Sequence, residues 1–191
     1  MSQEKEHLQA IQDIKTMMER STKFSSISGK AGIVVGMLAV IVFAGIKWYD
    51  VTSVSSLFVV MVGTLMVALF IGLYLSIAKA NKEGAAIFDT TAKRFLVQFF
   101  IPLFVGGMLC LIFACQNQIE YIPAMMLIFY GFALVHASKF SLDTIKNLGY
   151  LEIIAGLVAT AFTQYGMWCW VIGFGVLHII YGFIIYTKYE K

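Results

Sequence analysis

Three ionisable side chains lie inside stretches of chain otherwise built from apolar residues: His136, Glu152 and His178. Two imidazoles and a carboxylate form a versatile set. Together they match the ligand preferences of a divalent transition metal. The histidines alone match the axial ligands of haem b. A carboxylic acid beside an imidazole can also pass protons, because burial and mutual charge govern when each is ionised. No spacing signature selects among these, since HExxH, ExxH and a histidine pair four apart are all missing. A further reading assigns the residues no chemistry. Glu152 then sits near a helix N-terminus, where the macrodipole favours it, and each histidine bonds a neighbouring helix or a tyrosine such as Tyr130 or Tyr181.

Other chemical signals are weak. There is no Ser–His–Asp set, no Walker sequence and no Cys–His nucleophile pair, and Gly84 is too isolated for a phosphate-cradling loop. Cys110, Cys115 and Cys169 have no CxxC spacing. Cys115 ends the third apolar segment and Cys169 begins the sixth, both at the outer face, so a disulfide is open to them in an oxidising compartment. Small buried packing residues are the alternative.

The elements that must position these groups are six long apolar segments, read at about 31–49, 54–78, 96–115, 119–138, 150–165 and 167–187. A mean hydropathy of +0.83 with 60% apolar and 13% charged residues lies outside the range of soluble domains. A bilayer core takes roughly 20 apolar residues of helix to cross. Of the 14 basic residues, 13 fall on alternate sides of the segments, and Lys47 alone lies on the other. Lysine and arginine are retained in cytoplasmic loops, so both termini are expected in the cytoplasm. The fold expected is an all-α integral membrane protein of six transmembrane helices (31–191), preceded by a cytoplasmic amphipathic helix and hinge (1–30). With both ends inside, His136, Glu152 and His178 all fall in the cytoplasmic half. His178 is ten residues from Lys188, about 15 Å at helical rise.

The first 28 residues are polar and lack the apolar core of a cleavable signal, so the first span is expected to act as the targeting signal. Within them, Leu8, Ile11, Ile14 and Met18 make one apolar stripe on a helix, suited to docking on the bundle or on a cytoplasmic partner. Trp48, Tyr49, Tyr121, Trp168 and Trp170 cluster at the outer span ends and read as an interfacial girdle. Most glycines lie within spans, where they allow close helix approach, and Pro102 is expected to kink the third. Copies of such glycine-faced bundles commonly associate, so a homo-oligomer is expected. Basic residues are too dispersed for nucleic acid.

Gly131-Phe132-Ala133-Leu134-Val135-His136 matches Gly173-Phe174-Gly175-Val176-Leu177-His178 at an offset of 42 residues. Gly107-Met108-Leu109 similarly resembles Gly156-Leu157-Val158 and Gly36-Met37-Leu38, which suggests three tandem helical hairpins of one orientation. The chance similarity of small apolar alphabets is the rival.

The run MMERSTKFSSISGKAG, the segment GYLEIIAGL and the ending HIIYGFIIYTKYEK resemble a family of small, uncharacterised six-span bacterial inner-membrane proteins. Some members of that family carry an automatic carotene-oxygenase label. The resemblance implies six helices in a bacterial inner membrane and supplies no activity. The oxygenase chemistry does not suit this chain, because such iron centres need several histidine ligands and only His136 and His178 lie within spans. The function expected is a small transporter, channel or regulatory membrane component without enzymatic activity. A haem- or metal-binding redox protein with quinone as its partner is the alternative. A lipid-modifying enzyme is a third reading, short of the compact acidic or histidine loop motif it needs.

Overall fold

The computed structural model describes residues 27–51, 53–82 and 90–190. The expected N-terminal amphipathic helix and most of the loop after the second span lie outside them. Among the described residues the chain is helical, with no strand. The elements are α1 (Gly29–Trp48), α2 (Val54–Lys82), α3 (Thr90–Cys115), α4 (Ile122–Ala137), α5 (Asp143–Ala161), α6 (Gly166–Trp170), a π-helical segment (Val171–Leu177) and α7 (His178–Tyr189). The last three are continuous. Short 3-10 turns flank α4 and precede α6. Five of the six helical stretches are long and apolar enough to cross a membrane. The exception is α5, which carries Asp143, Lys146 and Glu152. This is the architecture of a helical membrane protein.

Asn117, with φ of 56°, closes α3 in the left-handed region that asparagine tolerates. Pro123 enters α4 in its first turn, where a missing N–H costs nothing. Pro102 stands within α3, which continues past it to Cys115.

Close packing is concentrated in three pairs: α4 with α5, α3 with α4, and α1 with α7 together with the π segment. Between helices in lipid there is little hydrophobic gain, so van der Waals fit decides which faces meet. Gly29, Gly32 and Gly36 form a groove on α1 that receives the backbone of the last helix around Gly175 and Gly182. Gly131 and Gly149 likewise bring the backbones of α4 and α5 together. The expectation of close approach holds at these sites. Gly63, Gly72 and Gly107 instead face open space.

The two ends of the bundle differ. One is filled by a core that includes Phe43, Met61, Cys110, Leu127, Ala159, Cys169 and Trp170. Trp170 is 2% exposed, so it is a core residue, whereas Trp48, Tyr49 and Trp168 are exposed as a girdle requires. Its packing against Phe174 one turn on, with rings 5.5 Å apart, holds it inward. The opposite end carries Lys30, Lys79, Lys82, Lys93, Arg94, Lys139, Lys146 and Lys188, and its packing is incomplete. Only 6% of the most apolar stretch of α2 is buried, against 50% for the last helix, because α2 packs chiefly on α1. All three cysteines are free, with Cys110 and Cys169 buried and Cys115 exposed.

Candidate functional site

Glu152 stands at the middle of α5, nine residues beyond its start, and is completely buried. Asp143, Lys146 and Asn147 look like a loop in sequence, which places the expected start of this helix near residue 150. They are its polar first turns, with Asp143 favoured there by the helix dipole. Glu152 is therefore a mid-helix group in the protein interior, where a carboxyl without a partner is costly.

Its partner is His178, 5% exposed at the junction between the π segment and α7. The imidazole Nδ1 lies 3.0 Å from the Gly173 carbonyl oxygen and 3.3 Å from Glu152 Oε1. The five-residue reach back to Gly173 suits the widened register of the π segment, a local geometry frequent at functional sites. With two oxygens in front of it, Nδ1 is the protonated nitrogen. The longer contact to Glu152 is not a well-formed hydrogen bond and becomes ionic when the imidazole is protonated, and neither carboxylate oxygen has a hydrogen-bond partner among the described residues. Gly173 makes this possible: a Cβ there would collide with Glu152 Oε2 and a methyl of Leu127.

On the other side of the ring, His178 Nε2 is 2.8 Å from the Tyr130 hydroxyl on α4. Glu152, His178 and Tyr130 thus form a line from the protein core outward. The line ends at a cavity of about 260 Å³. Mostly aliphatic and aromatic side chains of α1, α2, α3, α4, α5 and α7 make its walls, with Phe99, Tyr130, Phe174 and His178 in successive ring contact along one side. Most lining residues come from the basic half of the bundle, while Leu65 and the core residue Phe174 reach toward the packed half. The cavity is a vestibule set against that packed core. Close backbone approaches between α2 and α3 are few at most among the described residues, so the two helices leave a seam along one wall.

Beside the lining residues Ile27 and Ala80, Lys79 ties the basic end of the bundle together. Its ammonium donates to the Ile27 carbonyl at 3.1 Å and lies 3.5 Å from Glu190 Oε1. The same carboxylate oxygen accepts the backbone N–H of Gly29 at 2.6 Å. One cluster thereby joins the end of α2, the start of α1 and the end of α7.

The three residues singled out from sequence are not all brought together. Glu152 and His178 meet. His136 is exposed on α4, with Nδ1 2.9 Å from the Phe132 carbonyl in its own helix. Its sequence match to His178 does not extend to its surroundings. No group of three His, Cys, Asp or Glu side chains able to hold a metal occurs among the described residues. Tyr130, named only as a hydrogen-bonding neighbour in the sequence reading, occupies the third place. No family model, curated protein or solved structure matches this chain.

Proposed function

We propose that this is a six-span inner-membrane carrier with both termini in the cytoplasm, which couples movement of a small solute to protons through Glu152 and His178. The observation that carries the reading is the acid–imidazole pair buried beside a cavity with almost wholly apolar walls, set against a packed core. A channel needs a continuous path, and the packed core around Leu127 and Trp170 interrupts it. A carrier needs a site that one half of the bundle closes while the other opens, with an ionisable group at its turning point. The basic end of the vestibule then faces the cytoplasm by the retention of lysine and arginine on that side.

The pair also supplies a coupling mechanism. When His178 is neutral, its Nε2 accepts from the Tyr130 hydroxyl. When His178 is protonated, Nε2–H donates to the Tyr130 oxygen, and the phenolic O–H must find an acceptor elsewhere. No second protein partner for Tyr130 is present among the described residues. That acceptor is the occupant of the vestibule. Protonation of the buried pair thus changes what Tyr130 offers to solute.

Alternating access tests the reading. In a variant with Cys110, Cys115 and Cys169 replaced by serine, Leu69→Cys on the vestibule wall is labelled with a membrane-impermeant maleimide in oriented vesicles. Labelling is expected from the basic face at rest and from the opposite face under an imposed pH gradient. Reaction from one face under every gradient, or from both at once, would sink the proposal.

A further inference from the structure

Resting on that carrier reading, we infer that the vestibule takes a hydrophobic monocarboxylic acid, bound as its anion together with one proton. Four features of the site converge on this class.

The first is the wall. It is almost wholly aliphatic and aromatic, so most of the occupant is hydrocarbon. An apolar cavity of about 150 Å³ holds benzene, and by proportion 260 Å³ takes roughly ten carbons. Sugars, amino acids and inorganic ions leave such a wall unmatched.

The second is the polar end. With His178 protonated, Tyr130 turns its O–H to the vestibule, and a hydrogen bond to an ionised acceptor is among the stronger kinds. A carboxylate is the acceptor that satisfies both the phenol and the imidazolium behind it. An alcohol satisfies the phenol alone, and an ammonium has no lone pair to offer.

The third is charge balance. Glu152 is the resident anion of His178, 3.3 Å from its Nδ1. The pair with one proton between them is neutral, and adding a second anion to a low-dielectric interior is costly. If one proton enters with the solute, Glu152 is neutral, His178 is the cation and the bound carboxylate is its counter-ion. Release follows when Glu152 loses that proton and takes the imidazolium back. The titratable groups that face the pair are Tyr130 from α4 and, along the same wall, Tyr181 from α7; α1, α2 and α3 present apolar side chains with Ser28 and Ser76.

The fourth is the approach. Lys30, Lys82, Lys93 and Arg94 stand at the same end of the helices that line the vestibule, in addition to Lys79, which Glu190 already balances, and this charge concentrates anions at that end.

Octanoate is the probe, with octanol and octylamine as neutral and cationic controls of equal chain length. Binding to the full chain in nanodiscs is measured by calorimetry in two buffers of different ionisation heat, with empty nanodiscs subtracted. Octanoate is expected to bind with uptake of about one proton, and the controls at least about tenfold more weakly. Tyr130→Phe is expected to weaken octanoate about tenfold to a hundredfold, as loss of a hydrogen bond to a charged acceptor does. His178→Gln removes the proton uptake. Glu152→Gln should tighten binding, because the competing anion is gone. That sign separates a counter-ion from a purely structural carboxyl, whose loss would weaken binding or unfold the site. Octanol binding as well as octanoate, or Glu152→Gln weakening it in a folded protein, overturns the assignment. Leu69→Cys labelling reports separately on the carrier reading: alternating access without octanoate selectivity rejects this substrate class alone.

Discussion

Removing one member of the buried pair should cost far more than removing both. In His178→Ala, Glu152 keeps its place, 0% exposed in the middle of α5, and loses the imidazole 3.3 Å away. Both of its oxygens already lack hydrogen-bond partners among the described residues, so nothing nearby takes over. Breaking a buried ion pair in this way costs about 3–5 kcal/mol, roughly a hundredfold or more in the unfolding equilibrium. Glu152→Leu combined with His178→Phe leaves no charge behind and fills similar volume. Replacements of that kind range from neutral to about 1–4 kcal/mol stabilising. Against this, Tyr130 loses its Nε2 contact, a penalty of about 1–3 kcal/mol if the hydroxyl is stranded, but the adjoining vestibule gives it room to turn. The double variant should therefore recover most of the stability lost in His178→Ala while binding and transport stay abolished. Reversible unfolding in mixed micelles, read by tryptophan fluorescence for wild type, Glu152→Leu, His178→Phe and the double, supplies the cycle, with His178→Ala measured beside it. Additive single effects, with a coupling under about 0.5 kcal/mol, would show that Glu152 and His178 are not an interacting pair.

Other expectations follow from individual contacts. Gly173→Ala pushes a methyl against the Glu152 carboxylate and Leu127, and overpacking should cost about 1–3 kcal/mol in the same unfolding assay. Lys79→Ala releases the end of α2 from Ile27 and Glu190. At about 1 kcal/mol for the lost contacts, Leu69→Cys should label roughly fivefold faster from the basic face. Among the native thiols, Cys115 is exposed at the end away from the basic residues, while Cys110 and Cys169 are buried. An impermeant maleimide applied outside intact cells should modify Cys115 alone, and its protection there, with reaction only in inverted vesicles, would reverse the proposed orientation.

Segment length and hydropathy located the long helices, because a membrane-crossing stretch leaves a signal that tertiary context does not erase. The boundaries were harder. Asp143 to Asn147 resemble a loop in isolation, yet α5 begins there, and this moves Glu152 from a helix end to its centre. The π segment over Val171–Leu177 has no such signature, since its residues VIGFGVL read as one more apolar turn of the span. Trp170 carries the same interfacial preference as Trp168, and only its rotation toward Phe174 places it in the core. Within the site, Glu152 and His178 were legible because ionisable groups in apolar spans are rare and costly. His136 drew attention for the same reason, but its exposure depends on which face α4 turns inward. Tyr130 is one of nine tyrosines, and the vestibule arises from the loose seating of α2. Neither leaves a mark in residue type or spacing.

The most direct test is solute-driven proton movement in inverted membrane vesicles energised to a pH gradient, followed with a fluorescent weak base. Solutes that do not cross lipid unaided, including short carboxylates with a fixed polar tail, are added one at a time to vesicles holding wild type, Glu152→Gln or His178→Gln. Dissipation of the gradient by at least one solute in wild type, lost in both variants at equal expression, is the result expected of a proton-coupled carrier built on this pair. Dissipation that persists in Glu152→Gln, or a gradient that no solute disturbs in wild type, would contradict it.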